Sequence, residues 1–434
     1  MTANAQELFN QHADTLNTHL SRARAQAATM PPGLMLEPEQ RHKLLFSRND
    51  VGLYIHYPFC VQKCPYCDFA SIASGEDSSR DEQYVNLLIS EFELKLPLLQ
   101  GRSIVSVYIG GGPPSLCQPA QWARLFEKVG PYLAPGAEVS LEANPGTVDL
   151  AKMRELRAAG FNRISIGVQS FNDRMLSRLG RIHNGDEARA ACRNAVAAGF
   201  YNYNLDIMHG LPRQDVEQAL DDLLIALQLE STHLSWYELT LEEGTVFGER
   251  PPVLPDEDVL LAIEEQGFDL IDRAGFEHYE VSGYNLGGAY RCVHNQNYWL
   301  YGDYLGIGAA AHQKITLTSG NDFVITRSAN PENYQDYLNW CIQGQLKDGK
   351  GVRSKTVVES GDIPFEFMLN RLRLFIDRVD SSEYQLRTGM PVSSLKDSLT
   401  EIAADGLIEL EHDLSFSLTQ QGKIMLNDVI ARFL

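Results

Sequence analysis

Between Val51 and Leu239, six short apolar runs rich in Val, Ile and Tyr alternate with longer amphipathic segments. The runs fall at residues 53–57, 104–109, 138–142, 163–167, 203–208 and 233–239, and helical patterns lie between them at 83–98, 121–132, 150–159, 186–198 and 216–227. Strands that alternate with helices of this length indicate βαβ units and a parallel sheet. Six of them predict an α/β fold of the opened (β/α)6 barrel type, in which the chemistry sits on loops at the C-terminal strand ends.

The polar and glycine signals fall where that rule expects them. Cys60, Cys64 and Cys67 follow the first run. Gly110, Gly111 and Gly112 follow the second, where backbone without side chains can approach a ligand and present its amides. Glu142 ends the third run, Gln169 the fourth, and Asp206 lies in the fifth. Alone, a glycine triplet is more often a turn, and a strand-end Glu or Gln is more often a cap. Recurrence at five successive strand ends points instead to one shared pocket. Arg181, in the loop after the fourth run, can pair with a carboxylate of a bound ligand.

The cysteine spacing, C-x3-C-x2-C, lets one loop wrap one metal centre. On a 4Fe-4S cubane, usually held by four cysteines, three thiolates leave one iron open to a small molecule. The alternative is a structural zinc with His56 as fourth ligand. Such sites usually draw a second Cys or Cys/His pair from farther along the chain, and no C-x2-C or H-x3-H pair follows. Cys117, Cys192, Cys292 and Cys341 are scattered and read as small buried hydrophobes.

At 434 residues the chain exceeds the size at which one core stops growing. Lys and Arg total 37 against 57 for Asp and Glu, a net charge of −20 that repels phosphate backbones and argues against a nucleic-acid partner. Seven cysteines, three of them bunched, are no secreted disulfide framework. With no basic-then-apolar leader and no long apolar span, the expected compartment is the cytoplasm.

Residues 1–48 form a polar, Ala-rich extension with a possible helix at 7–27, broken at Pro31-Pro32-Gly33. The barrel occupies 49–242. After it, Pro251, Pro252 and Pro255 precede a helix at 259–274 and a strand at 278–281. His294 then sits beside Tyr298 and Trp299, ahead of a glycine-rich turn at 302–312. A flat, apolar, metal-bearing ligand can be held in this way, with imidazole as axial ligand, although His294 or His312 alone is more often a hydrogen-bonded structural residue. The segment 243–360 is therefore a barrel extension. Residues 361–434 hold helical runs at 365–376, 384–388 and 394–404, a hairpin at 406–410 and 415–418, and a closing helix at 421–433. That order is winged-helix-like. Lacking a basic stripe, it suits a lid or docking module better than DNA.

The cysteine spacing, with Tyr66 before the last thiol, resembles the radical S-adenosylmethionine (SAM) superfamily. There the open iron takes the amino and carboxylate groups of SAM, and an electron from the cluster splits the sulfonium to a deoxyadenosyl radical that the protein aims and shields. Six longer stretches narrow the resemblance: YxHxPFC from Tyr54, GVQSF from Gly167, LGRIH from Leu179, NLDIMHGLP from Asn204, HLSWY from His233 and HNxxYW from His294. These are similar to the HemW family of haem chaperones, relatives of the oxygen-independent coproporphyrinogen III dehydrogenase, over about residues 50 to 434.

The resemblance implies a 4Fe-4S cluster on Cys60, Cys64 and Cys67. It implies SAM contacts from Tyr54, Tyr66, Gly111, Gly112 and Glu142, with further SAM-type positions at Gln169, Arg181 and Asp206, and haem at His294. As partners it implies haem, an electron donor to the cluster, and a haem acceptor, with a membrane respiratory enzyme one candidate; a monomer or a homodimer fits. Two departures stand out. The dehydrogenase has a further cysteine where this chain has Phe69, so coproporphyrinogen decarboxylation is not expected, while radical modification of haem stays an alternative. Pro113 replaces the threonine usual after the glycines.

Overall fold

The computed structural model describes residues 17, 18, 21, 50–319, 322–342, 354–375 and 378–434. Apart from residues 17, 18 and 21, the possible helix at 7–27 and its Pro31-Pro32-Gly33 break lie outside these.

All six expected strands are present: β1 (Asp50–Tyr57), β2 (Ser103–Gly111), β3 (Leu133–Ala143), β4 (Arg163–Gln169), β5 (Asn202–His209) and β6 (His233–Glu238). They lie side by side in chain order and run parallel. Between them come α1 (Ser78–Lys95), α2 (Pro119–Val129), α3 (Leu150–Ala159), α4 (Asp173–Arg178), α5 (Gly185–Ala197) and α6 (Val216–Gln228). Side-chain caps start most of these helices. Asp77 opens α1, and the capping boxes Asn184/Glu187 and Asp215/Gln218 open α5 and α6, satisfying backbone N–H groups that have no partner within the helix.

Alternation along each strand decides what faces the helices and what faces the barrel interior. Val51, Leu53 and Ile55, Val107 and Ile109, Val139 and Leu141, Ile164 and Ile166, Leu205 and Ile207, and Leu234 join the main hydrophobic core. The opposite parity is polar: Ser106 and Tyr108, Glu138 to Glu142, Arg163 to Gln169, Asn204 and Asp206, and His233 to Tyr237. A closed barrel of this kind is ordinarily filled by branched apolar layers. This one instead encloses a polar chamber.

Beyond β6 follow α7 (Glu257–Arg273) and the antiparallel pair β7 (Phe276–Glu280) and β8 (Gly283–Leu286), with β8 bonded to β6. Residues 293–299 form a short helix, α8 (Val293–Trp299). The expected glycine-rich turn is, over its first half, a buried strand, β9 (Asp303–Ile307), parallel to β1 on its free side. Its glycine has a packing reason: a Cβ on Gly306 would lie 2.0 Å from the carbonyl oxygen of His312. β10 (His312–Ser319), β11 (Asp322–Ala329) and β12 (Ser354–Val357) continue the sheet outward, and α9 (Tyr334–Ile342) follows β11.

The last segment contains α10 (Ile363–Arg371), α11 (Ser381–Thr388), α12 (Lys396–Ala404), the hairpin β13 (Ile408–Leu410) and β14 (Phe416–Leu418), then α13 (Gln420–Ile424) and α14 (Leu426–Ala431). The expected closing helix is thus two helices with Met425 between them. Its core, around Phe367, Tyr384, Leu399, Phe416 and Val429, also takes in Tyr301 and Ile325 of the sheet region. Among the described residues no helix is long and apolar enough to cross a membrane.

Candidate functional site

The cysteine loop leaves β1 at the C-terminal rim. Phe59 and Cys60 pair in parallel with Ile72 and Ala73, which closes the loop on itself. The Cys67 amide donates to Cys64 O at 3.1 Å, making a turn between the last two cysteines. Gln62 Nε2 donates to Gly180 O at 3.2 Å, and the Phe247 amide donates to Pro65 O at 2.9 Å, so the loop is tied to the β4–α5 connection and to the segment after β6. Burial pushes the Cys60 and Cys67 thiols above their ordinary range. Metal binding to these thiols, which needs thiolates, would therefore release protons. Among the described residues no trio of His, Cys, Asp or Glu is gathered tightly enough for a single ion. A cubane does not ask for that, because it spreads its thiolates over separate irons.

A cavity of about 470 Å³ opens beside this loop and runs down the barrel interior. Ten of the twelve residues singled out above line it: Cys60, Cys64, Cys67, Tyr66, Gly111, Gly112, Glu142, Gln169, Arg181 and Asp206. Glu142 accepts from Tyr108 Oη at 2.9 Å and from the Gly111 amide at 3.3 Å. Burial, and then the nearby Asp206 charge, raises its pKa to about 7. Burial also raises Asp206, against hydrogen bonds from Ser165 Oγ and Asn204 Nδ2 at 2.8 Å each. Arg181 donates to Gly167 O at 2.6 Å and reaches Tyr66 Oη at 3.5 Å and Cys64 Sγ at 3.9 Å. Gln169 has φ 67°, a conformation costly for a residue with a Cβ, and its Oε1 accepts from Tyr237 Oη at 3.0 Å.

The glycines also have a packing reason within the protein. A Cβ on Gly110 would lie 2.9 Å from Glu142 Oε1, one on Gly111 would lie 2.4 Å from the His56 ring, and one on Gly112 would lie 2.2 Å from Phe59 O. The Gly111 amide donates to Glu142, and that of Gly112 to Tyr57 O at 2.6 Å. The close approach here is of protein to protein. The zinc alternative loses its fourth ligand in the same region. His56 donates through Nε2 to Ala70 O at 2.9 Å and accepts at Nδ1 from Tyr54 Oη at 3.0 Å, which occupies both ring nitrogens.

Two of the twelve residues stand apart. Tyr54 does not line the cavity; its ring lies 6.2 Å from that of His294. His294 is 3% exposed, stacked on Tyr108 with centroids 4.8 Å apart and flanked edge-on by Tyr298 at 4.8 Å. Burial, then the Arg163 charge, holds its pKa down at about 3, so the imidazole is neutral. It too is absent from the cavity wall, so these contacts must open before an iron can reach it.

Other wall residues had no site role assigned from the sequence: Tyr108, Arg163, Ser165, Asn204, His233, Ser235, Tyr237, Cys292 and Asn295. For those on the strands, the signal was the polar parity running the whole length of each strand rather than only its end. Cys292 is no plain core thiol either, because its Sγ lies 3.5 Å from Glu138 Oε1 at the foot of the barrel.

The Radical SAM superfamily model matches residues 54–223. The heme chaperone HemW of Escherichia coli is 42% identical over 386 residues, covering 88% of this chain and 98% of the relative. HemW of Haemophilus influenzae is 41% identical, covering 88% and 98%. The solved coproporphyrinogen III oxidase HemN of Escherichia coli superposes with a TM-score of 0.73 over 92% of this chain and 93% of its own, at 22% identity, which speaks to the fold. With a barrel of this design and relatives matched over nearly their whole length, the chain belongs to the HemW family of haem chaperones.

Proposed function

We propose that the protein binds haem and passes it to an acceptor protein, with a 4Fe-4S cluster on Cys60, Cys64 and Cys67 and SAM beside it. The observation that carries this reading is the convergence of ten motif residues on one cavity. Their chemistry suits the cofactors. Three thiols on one loop leave an iron open, and Glu142 and Asp206 are half-buried acceptors for the amino and hydroxyl groups that SAM carries. Tyr66 and Arg181 cover the cluster side. When bound, the cluster with SAM supplies one-electron chemistry. The chain's own residues would hold, orient and shield these groups, and the neutral His294 would hold the haem iron once its tyrosine contacts open. An electron donor, an acceptor from among the membrane respiratory enzymes, a cytoplasmic setting and either a monomer or a homodimer complete the proposal.

The test uses anaerobically purified, cluster-reconstituted protein with SAM, haem and a reductant, followed by mass spectrometry of the tetrapyrrole. Wild type is expected to retain haem of unchanged mass, and His294→Ala to lose it while keeping its melting temperature within a few degrees. A tetrapyrrole of altered mass would make the protein a radical enzyme acting on haem and overturn the carrier reading.

A further inference from the structure

The foot of the chamber holds a cation that the cofactor reading does not use. Arg163, the first residue of β4, turns into the barrel and lines the cavity below Ser165 and Gln169. It is 2% exposed. The carboxylate oxygen of Glu138 stands 4.0 Å from its Nε, beyond hydrogen-bond range. That carboxylate already accepts from the amides of Val293 and His294 at 3.1 and 3.4 Å and from Cys292 Sγ at 3.5 Å. Among the described residues Arg163 Nε has no hydrogen-bond partner. Strand register sets Ser140 of β3 and Asn202 of β5 directly beside Arg163, and Ser140 Oγ and Asn202 Oδ1 are likewise buried without partners among the described residues.

Of these three only Arg163 lines the cavity, and its unpaired Nε stands out there because buried polar groups are nearly always paired. A guanidinium carries five donors in a planar fork, and leaving it unpaired in a protein interior is costly. Two other deeply buried arginines do hold carboxylates: Arg371 with Glu383 at 2.8 Å and Arg387 with Asp50 at 3.1 Å. Arg163 differs in lining the cavity with its nearest carboxylate, that of Glu138, held off at 4.0 Å, beyond hydrogen-bond range. The planar fork matches a carboxylate, and a pairing there gains strength from exclusion of water.

We propose that Arg163 anchors a carboxylate of the ligand that enters the barrel, and that this carboxylate is a propionate of the tetrapyrrole. The assignment rests on the haem reading above. Two observations favour a tetrapyrrole over the other carboxylate source, the methionyl end of SAM. The acids Glu142 and Asp206 line the cavity above Arg163, and they suit the cationic end of SAM at that higher level. Arg163 also lies beside the start of α8, close enough for its charge to act on His294, so anchor and proposed axial ligand share one end of the barrel. A propionate is a flexible two-carbon arm, and it lets the ring stay higher, among Tyr108, Met208 and Tyr237.

The experiment titrates haem, and separately haem dimethyl ester, into the anaerobic full-length wild type, Arg163→Gln and Arg163→Lys, followed by Soret absorbance. SAM and methionine are titrated calorimetrically into the same proteins. Arg163→Gln is expected to weaken haem about 10- to 100-fold, the span for a lost charged hydrogen bond. Arg163→Lys should recover part of that, the ester should bind weakly to all three proteins, and SAM affinity should not move. A fall in SAM affinity with haem unchanged would assign the anchor to the methionyl carboxylate and overturn the propionate. Equal haem affinity in all three proteins, or a wild type that binds the ester as tightly as haem, would overturn it as well. Should Arg163→Gln fail to fold, thermal protection of the wild type by haem but not by its ester supports the propionate without a variant, and equal protection by both overturns it. A wild type that binds no haem fails the haem reading itself, a result distinct from one in which haem binds and the variants are indifferent.

Discussion

His209 closes β5 with its ring against Trp236, centroids 4.3 Å apart, and with Nδ1 buried and unpartnered among the described residues. Burial pushes its pKa down from 6.5 to about 4, so the fold accepts only the neutral ring. Stability from this residue is therefore complete above pH 6.5 and is lost as pH falls toward 4, by about 3 kcal/mol in all. Urea unfolding of wild type and His209→Phe at pH 7 and pH 4 checks this, and the wild type is expected to lose about 3 kcal/mol more between them. Legibility at this scale follows the same physics. Glu142, Gln169 and Asp206 stood out as isolated polar residues at strand ends, and the cavity gathers them. Arg163 sat inside a run that read as apolar, and only the two-residue parity of a chamber-facing strand marks it, whereas Asn204 and His233 open two of the family stretches and the same parity turns them into the chamber. His294 was visible through its neighbours' aromatic character, yet that same character is what buries it.

Packing between elements leaves little slack around β6. Gly267 of α7 lies over Trp236, and a Cβ there would come within 2.1 Å of the indole. The ring is 2% exposed and meets Phe268 edge-on at 5.5 Å, so it has nowhere to retreat. Gly267→Ala is expected to destabilise the protein by about 1 to 3 kcal/mol through overpacking, read as a lower denaturation midpoint with an unchanged slope. The six barrel strands and their helices were legible because apolar parity and amphipathic spacing are local properties. β9 was not. Its glycines suggest a turn until the crossing backbone of His312 is in place, and its partner β1 is distant in the chain. The long strands β10 and β11 were missed for a related reason: strands with mixed polar faces carry no strong period.

Across the whole molecule, the buried pair Arg387 and Asp50 joins the C-terminal unit to the first strand of the barrel, at 3.1 Å with side chains 5% and 0% exposed. Burial raises Asp50 to about 6 even with the arginine beside it. Removing the cation leaves a carboxyl buried without its charge partner. Arg387→Met is expected to cost about 3 to 5 kcal/mol and the double variant Asp50→Asn/Arg387→Met less, measured by urea unfolding with limited proteolysis to show whether residues 378–434 are released first. The three-helix and hairpin order of that unit was legible from local patterns, whereas its attachment through Asp50 and Tyr301 depends on contacts across the chain. The pairing of β1 with β9 also sets a timetable. The two strands lie about 250 residues apart, so a ribosome adding roughly 5 to 20 residues per second leaves one edge of β1 unpaired for some tens of seconds. An open strand edge invites wrong partners. Through that interval the cysteine loop hangs from a half-built support, so a newborn chain meets its hazards of mispairing and thiol oxidation before it has a barrel in which to receive a cluster.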